Sequence, residues 1–574
     1  MTDQRNLIIA IALSVGIILA FQFFYELPRL REMQARQAAE AERLAATAPA
    51  ETGAATGTGT AAATAPGAPA EAPTAATAQR IRIDNGRLHG TLNTQGGRID
   101  DLTLADYRET VDPNSPEIVL LAPAGRVGAY FGEFGWVAQD PAVPVPGAET
   151  VWAAEGERVG RDQPVTLRWD NGQGLAFEKA IRLDGDFMFT IDRRVTNNGT
   201  APVTLFPYAL VSRWGTPHTA GFFILHEGPI GVLGGKLQEP NYKDLVGDGS
   251  KVALDSTGGW LGFSDKYWLT ALVPDQAQDI KGTFQHSKRG DIDLYQADYL
   301  GPPLTVAPGQ TLGYTDRFFA GAKEVDKLDH YRDTYNIPLF DRAVDFGWFY
   351  FLTKPLFYIL DAIYRFVGNY GVAILCLTLL VKLVLFPLAN KSYKSMSAMK
   401  KLQPEMEKLR ERFSDDRAKM QQELMALYKR EKVNPVSGCL PILVQIPVFF
   451  ALYKVLFVSI EMRHAPFFGW IKDLSAPDPT SIFNLFGLIP WQPPLFLMIG
   501  IWPLIMGFTM WLQQRMNPQP TDPVQAKVMS FLPILFTFML ATFPAGLVIY
   551  WAWNNTLSVA QQWVIMRRMG VKIG

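Results

Sequence analysis

One ionisable side chain stands well inside an apolar run of this sequence. Lys382 lies in the run LLVKLVLF, residues 379–386. Burying an ammonium group in lipid is expensive, so this lysine either lines a water-filled cavity between helices or extends to a membrane interface. Thr378, one helical turn away on the same side, favours the cavity. The end of the run near Lys391, roughly 12 Å of helix away, favours extension, and spacing alone leaves both interpretations open.

A second polar position occurs in the run NPVSGCLPILVQIP, residues 434–447. Its prolines Pro441 and Pro447 leave backbone carbonyl groups that need other partners, because proline cannot donate a backbone hydrogen bond. A packed or hydrated face is therefore expected here rather than a lipid face. Gln445 lies between the two prolines, where it could meet Lys382 across a cavity.

The last apolar run carries amides among aromatic residues. Asn554 and Asn555 follow Tyr550 and Trp551. Amides in such positions commonly form hydrogen bonds between helices and so have a structural explanation. We keep Asn554 as a candidate for the polar face that includes Lys382.

No catalytic constellation accompanies these residues. No acid lies inside an apolar run, the six histidines are scattered, and the sequence contains no metal-ligand spacing, nucleophile elbow or phosphate-binding loop. The formal net charge of −1 argues against a general nucleic-acid-binding protein. The sequence therefore predicts no catalytic site, no metal and no cofactor.

The elements that must position these residues begin with an N-terminal apolar segment. Residues 7–24 carry no charge, and at roughly 18 residues they nearly span a hydrocarbon core. A cleaved signal peptide is the alternative, but it would have a shorter apolar core and a small-residue cleavage site. We predict an uncleaved anchor over residues 1–27, followed by a disordered Ala/Thr/Pro-rich tether over 28–78.

Residues 79–340 consist of short alternating runs separated by turn dipeptides. The run IRI at 81–83 precedes Asn85-Gly86, and VTLRW at 165–169 precedes Asn171-Gly172. Such dipeptides between alternating runs indicate antiparallel hairpins. The sequence predicts a large β-sandwich domain.

The period becomes helical between residues 346 and 367, within a segment that we assign to 341–368. The residues that share its apolar face are Leu352, Leu356, Ile359, Leu360, Ile363 and Val367. The residues on the opposite face are Lys354, Tyr358, Asp361 and Arg365. This pattern predicts an amphipathic helix in a membrane interface, and a surface helix docked on the β domain is the alternative.

Five apolar stretches follow and form a predicted core over residues 369–574. They cover residues 370–388, 441–460, 495–512, 528–542 and 545–566. With the N-terminal anchor they make six spanning helices, which places this chain among polytopic α-helical membrane proteins.

The basic segment 391–434 sets the orientation of the helices, because short cytoplasmic loops retain Lys and Arg. Its apolar stripes predict a helical hairpin interrupted at residues 414–416, with Asp415 or Asp416 capping the second helix. The hairpin is a candidate contact surface for lipid headgroups, ribosomal RNA or a nascent chain. The residues of this cytoplasmic contact surface are Lys400, Lys401, Lys408, Arg410, Arg412, Lys429 and Arg430.

Alternation from this hairpin places the loop 459–494 and the β domain outside, and both termini in the cytoplasm. The arginines that follow the first apolar segment disagree with that orientation. Acidic residues are interleaved with them, and long domains translocate largely regardless of charge, so the order of the helices decides.

Several motifs make the chain resemble the YidC/Oxa/Alb insertases, in the Gram-negative form with a large periplasmic domain. They are Gly368-Asn369-Tyr370-Gly371, Asn434-Pro435, Gly438-Cys439, Gln445-Ile446-Pro447, Leu452-Tyr453 and Phe543-Pro544-Ala545-Gly546-Leu547. The resemblance covers essentially the whole chain. It implies an inner-membrane protein in which five helices form a groove for hydrophilic parts of nascent membrane proteins, with a periplasmic β-supersandwich. It also implies the Sec translocon as a partner, along with the lipid bilayer and a weak ribosome contact through the cytoplasmic loops.

The resemblance also implies roles for individual residues. Lys382 would supply the positive charge of the groove; many relatives carry arginine there, so a role that requires a bidentate guanidinium is not expected. By the same matching, Thr378 and Gln445 would line the groove. The residues of its apolar, substrate-facing side would be Ile446, Pro447, Tyr550 and Trp551.

Two other classes of protein fit parts of the pattern. A secondary transporter also combines broken helices with an intramembrane charge, but it normally shows internal repeats, and none is found here. A carbohydrate-acting surface protein is the third reading, because large β-sandwiches often bind sugars. Loss of function on deletion of residues 79–332 would favour that reading.

Overall fold

The computed structural model describes residues 78–161, 163–219, 225–246, 251–413, 416–431, 433, 440–487, 489, 491, 493–494, 498–517 and 523–570. The predicted anchor, the predicted tether up to residue 77 and the motif at 434–439 lie outside this part of the chain. Of the described residues, those up to 517 and those from 532 to 570 belong to one compact unit, and 523–531 belong to another.

The first part of the described chain is rich in β-strands. They are β1 (Arg80–Asp84), β2 (Leu88–Asn93), β3 (Arg98–Arg108), β4 (Glu117–Leu121), β5 (Tyr130–Ala138), β6 (Ala153–Glu155), β7 (Arg158–Val159), β8 (Val165–Asp170), β9 (Leu175–Leu183), β10 (Met188–Asn197), β11 (Val203–Trp214), β12 (Gly228–Leu233), β13 (Lys236–Gln238), β14 (Val252–Thr257), β15 (Trp260–Ser264), β16 (Trp268–Val273), β17 (Asp279–Arg289), β18 (Ile292–Leu300), β19 (Leu304–Val306) and β20 (Thr311–Ala322).

These strands form two sheets. The first has the order β14-β17-β18-β11-β5-β3-β2-β1-β7, with β19 beside β11 and β4 beside β3. The second has the order β13-β12-β15-β16-β20-β10-β9-β8-β6. Neighbours such as β10 and β20 pair antiparallel, whereas β1 and β7 pair parallel.

Both turn dipeptides lie where the alternating runs place them. Asn85-Gly86 joins β1 to β2, and Asn171-Gly172 joins β8 to β9; each pair of strands is antiparallel. Gly86 has φ +89°, a left-handed conformation that glycine adopts without steric cost. The hairpins follow from local chemistry because the turn residue and the alternation agree.

The core between the sheets is aromatic, with one buried ion pair. Phe134 of the first sheet meets Phe318 of the second edge to face, at 5.7 Å between ring centroids. Arg193 on β10 and Asp316 on β20 are fully buried and form an ion pair at 2.5 Å. A buried pair of this kind is costly to break, because either partner alone is an uncompensated charge.

The helices begin within the sheet region and dominate the C-terminal part. They are α1 (Tyr242–Leu245), α2 (Val325–Tyr335), α3 (Tyr350–Val367), α4 (Tyr370–Val384), α5 (Phe386–Arg412), α6 (Arg417–Arg430), α7 (Leu440–Val458), α8 (Ile501–Met516), α9 (Pro523–Leu540) and α10 (Ala545–Arg568). Short 3-10 segments occur at Phe340–Ala343, Ile460–Met462 and Ile482–Gly487.

The apolar run predicted over 370–388 is not one straight helix. It breaks at Leu385, and α4 and α5 meet there at an angle of 70°. Pro387 lies in the first turn of α5, where its missing N–H group costs nothing, whereas it would break an unbent helix. Judged by length and apolar composition, no single helix among the described residues is sufficient to cross a membrane, but α4 and α5 meet that criterion as a bent pair.

The alternating pattern assigned to 79–340 misses helix α2. Its sequence VDKLDHYRDTY is highly charged, and it buries only Val325, Leu328 and Tyr331. So few apolar positions give a weak periodic signal, which is why the sequence does not reveal this helix.

Helix α3 begins at Tyr350, and its charged face is packed at Lys354, whereas Arg365 near its end is 65% exposed. Lys354 contacts Asp329 at 2.6 Å and Asp341 at 2.7 Å, so this face docks on α2 and the segment that follows it. Exposed aromatic residues lie at its ends, with Trp348 98% and Phe366 90% exposed. The predicted apolar face is packed at Leu356 and Leu360, which are 6% and 0% exposed, whereas Ile359 on the same face is 38% exposed.

The basic hairpin consists of α5 and α6. Its first helix starts at Phe386, within the run predicted to span, and the second is capped by Asp416, whose carboxylate accepts the N–H of Lys419 at 3.0 Å. The other candidate cap, Asp415, lies outside the described residues. The cap satisfies a backbone donor that the first turn of a helix leaves free.

Candidate functional site

A small cavity lies between α4, α5, α7 and α10. Its volume is about 30 Å³, which is room for one or two water molecules. Its lining mixes one cation and several polar groups with aliphatic side chains. The lining residues are Thr378, Val381, Lys382, Leu385, Leu388, Ala389, Tyr393, Gln445, Val448, Tyr550 and Asn554.

The Lys382 ammonium is held inside this group of helices. Its Nζ donates a hydrogen bond to Ser558 Oγ on α10 at 2.6 Å. Within the described part of the chain Lys382 forms no ion pair, so its charge has no carboxylate partner there. Of the two interpretations that the spacing leaves open, this contact supports the cavity.

Four of the other predicted groove residues line the same cavity. Thr378 is buried and donates its hydroxyl hydrogen to Ile374 O at 2.6 Å, as polar side chains on apolar helices commonly do. Gln445 lines the cavity together with the buried Tyr550. Asn554 is also buried on α10. Gln445 and Lys382 therefore share a cavity, but among the described residues no hydrogen bond joins them.

The remaining predicted groove residues are not among those that line this cavity. Ile446 on α7 is 44% exposed, and Pro447 lies within the same helix. Trp551 packs on Phe449 of α7, with 4.8 Å between ring centroids, and on Phe536 of α9 at 5.5 Å. They supply an apolar surface next to the polar cavity.

Two residues of the site were missed from the sequence. Ser558 accepts the hydrogen bond of Lys382, and Tyr393 lines the cavity. Ser558 extends a stripe of Tyr550 and Asn554 at intervals of four residues, which one helix face shares. That spacing is a signal that the sequence contains, whereas Tyr393 lies in the basic segment 391–434 and has none.

The basic residues of the hairpin are spread over α5 and α6. Lys400 donates to Arg515 O at the end of α8, at 3.0 Å, and Arg430 pairs with Glu405 at 3.2 Å, which joins the two hairpin helices. Arg412 lies over the ring of Phe413. The other members of the surface are Lys401, Lys408, Arg410 and Lys429, of which Lys401, Lys408 and Lys429 are exposed.

The sheets and the helices meet through charged groups. The Arg463 guanidinium donates to backbone carbonyl groups at the end of β3, among them Glu109 O at 3.3 Å. Lys454 on α7 pairs with Asp345 at 2.9 Å. These contacts fix the end of α7 against the sheet domain.

Glu461 adds a carboxyl group to this junction. Its Oε1 accepts the N–H of Val325, the first residue of α2, at 3.2 Å, and its Oε2 is shielded from solvent and has no hydrogen-bond partner in the described part of the chain. Burial, together with the nearby carboxylates Glu324 and Asp361, raises the pKa of Glu461 to about 8. Near neutral pH this carboxyl therefore holds a proton.

Comparisons with known proteins agree along the whole chain. The family model "YidC periplasmic domain" matches residues 80–359, and "60Kd inner membrane protein" matches residues 362–572. "Membrane protein insertase YidC" of Methylobacterium sp. (strain 4-46) is 51% identical, over 100% of this chain and 96% of that protein. The protein of the same name from Beijerinckia indica subsp. indica is 52% identical, over 100% of this chain and 97% of that protein.

A crystal structure of an active YidC insertase with its first transmembrane domain resolved also matches. The match covers 84% of this chain and 91% of the chain in that structure, with a TM-score of 0.34 and a sequence identity of 18%.

Proposed function

The chain belongs to the YidC family of membrane protein insertases, and on that premise we propose that the cavity around Lys382 admits hydrophilic segments of nascent membrane proteins. The protein is an inner-membrane insertase with a periplasmic domain, not an enzyme. Its substrates are nascent membrane proteins. The proposal concerns where in the molecule they are received.

The observation that carries the proposal is an ammonium group without a carboxylate partner, held between apolar helices. Lys382 bonds only to the neutral hydroxyl of Ser558 among the described residues. A polar segment that enters hydrocarbon loses its hydrogen bonds to water, which costs several kcal/mol per group. A polar, hydrated and positively charged cavity reduces that cost, most of all for acidic segments.

Apolar segments follow a different route. The surfaces beside the cavity are apolar at Ile446, Pro447 and Trp551, and the outer faces of α8 and α9 expose residues such as Phe508 and Phe538. A transmembrane helix of the substrate loses nothing by moving from such a surface into lipid. No energy source is therefore required for its release.

The cavity as it stands accommodates water rather than a polypeptide. Its volume of about 30 Å³ has room for one or two water molecules beside the ammonium group. A substrate segment enters only when α4 and α7 move apart, and the break at Leu385 supplies a place where the bent pair can yield. Admission is thus coupled to a movement of helices.

The arrangement in the membrane is part of the same proposal. Six helices span the bilayer, with the N-terminal anchor at residues 1–27, the tether at 28–78 and a five-helix core at 369–574. Both termini and the hairpin at 391–434 face the cytoplasm. The sheet domain, 79–340, forms a periplasmic β-supersandwich, and the segment 341–368 lies in the outer interface.

Partners beyond the substrate follow from this arrangement. The basic hairpin faces the side from which nascent chains arrive, and it offers the exposed Lys401 and Lys408 to a ribosome or to anionic headgroups. The exposed apolar faces of the helices suit lipid and lateral contact with the Sec translocon. The insertase acts alone or beside that channel.

The test is insertion of a short single-spanning substrate into liposomes that contain the full chain. Lys382→Ala is expected to lower insertion of a substrate with an acidic translocated segment, and Lys382→Arg to retain most of it, because a cation is preserved. Lys394→Ala is the matched control, since it removes an exposed lysine on α5. Full insertion by Lys382→Ala would refute the proposal.

A further inference from the structure

Ser558 links α10 to α4. It lies on α10, 1% exposed, and its Oγ accepts a hydrogen bond from Lys382 Nζ of α4 at 2.6 Å. The same hydroxyl donates to Asn554 O, one turn earlier on α10, at 2.8 Å. Tyr393 of α5 is buried and lines the cavity beside them.

A serine hydroxyl offers one donor and two acceptor positions. Because the single hydrogen of Ser558 goes to Asn554 O, the hydroxyl acts toward Lys382 as an acceptor. One lone pair of Ser558 is thereby directed at the ammonium group. A neutral hydroxyl holds the cation without cancelling its charge.

Lys382 needs such a partner because its side chain is flexible. The ammonium group sits on four rotatable methylene groups, and Lys382 lies close to the end of α4 at Val384. Without a fixed acceptor, the side chain would extend past this end of the helix, toward water. The position of Ser558 on α10 decides where the charge remains.

We propose that Ser558 is a positioning residue that holds the Lys382 ammonium group inside the cavity, so that it faces incoming acidic segments of the substrate. The role rests on the proposed function of the cavity. Tyr393, near the start of α5, lines the same cavity.

The experiment is a double-mutant cycle on the full chain in liposomes. Two probes are used: a single-spanning substrate with an acidic translocated segment, and the same substrate with those acids replaced by serine and glutamine. Ser558→Ala is expected to lower insertion of the acidic probe about tenfold, the scale of a hydrogen bond to a charged group, and to leave the neutral probe unchanged. In the Lys382→Ala background, Ser558→Ala is expected to change insertion less than twofold.

Two further variants complete the design. Ser558→Thr keeps the hydroxyl and is expected to restore insertion of the acidic probe. Thr556→Ala is the matched control on the same helix, because Thr556 also donates to the carbonyl group one turn earlier, at 2.8 Å to Ala552 O, but its side chain is exposed.

The outcomes separate this inference from the proposed function. If Lys382→Ala inserts the acidic probe normally, the cavity proposal fails and the role of Ser558 fails with it. If Lys382→Ala is impaired while Ser558→Ala is not, only the positioning role is refuted. If Ser558→Ala impairs both probes equally, or impairs the Lys382→Ala chain further, Ser558 acts on the packing of the helices and the positioning role is likewise refuted.

Discussion

Replacing Glu461 by glutamine removes one ionisable carboxyl group from the junction between the sheets and the helices. The pKa of Glu461 is raised from an ordinary value near 4.5 to about 8, chiefly by burial and then by Glu324 and Asp361. A carboxyl whose pKa is raised by folding stabilises the protein at low pH, and that contribution disappears as pH rises through the folded value. Between pH 6 and pH 9 the loss amounts to about 2.5 kcal/mol.

Glutamine keeps the shape and the acceptor for the Val325 N–H group but does not ionise. The apparent unfolding temperature in detergent is measured for wild type and Glu461→Gln at several values between pH 6 and 9. The contributions of other titrating groups cancel when the two proteins are compared. From pH 6 to pH 9, the unfolding temperature of wild type is therefore expected to fall by several degrees relative to that of the variant. Glu157→Gln, at an exposed position between β6 and β7, is the control. If the difference between the unfolding temperatures of wild type and Glu461→Gln stays constant from pH 6 to 9, the carboxyl is not buried as described.

Two predictions concern packing. Arg193→Met leaves the Asp316 carboxylate buried without its ion-pair partner and should destabilise the sheet domain by roughly 3–5 kcal/mol, measured by urea unfolding. Adding Asp316→Leu should recover most of the lost stability. An unfolding midpoint equal to that of wild type for the single variant would contradict the reasoning. Gly507→Val places a Cβ atom 2.0 Å from Thr537 Oγ1, so either the Thr537 hydroxyl leaves its hydrogen bond to Pro533 O or α8 and α9 separate. Both lower the unfolding temperature in detergent, and an unchanged temperature would show that this approach is not close.

Local chemistry explains why so many elements can be read from the sequence. The hairpins at Asn85-Gly86 and Asn171-Gly172 combine alternation with a turn dipeptide, and both signals lie within a few residues. Asp416 caps α6 for the same reason, since its carboxylate binds an N–H group three residues ahead. Helix α2 escapes such reasoning because its three buried residues carry too little periodicity.

The bend at Leu385 shows where a local pattern is insufficient. The run 370–388 is apolar apart from Lys382 and Thr378, and its composition predicts one spanning helix. Pro387 permits a break, but whether the chain bends by 70° there depends on the helices that α4 and α5 contact.

The candidate site divides in the same way. The sequence by itself determined that Lys382 is an ionisable residue within an apolar run, because charge and hydropathy are properties of consecutive residues. Its hydrogen-bond partner is Ser558, 176 positions away, and the charged face of α3 finds its acids on α2. Only the tertiary structure decided these pairings, since a hydrogen bond depends on distance in space, and periodicity along one helix carries no information about which residue of another helix it will meet.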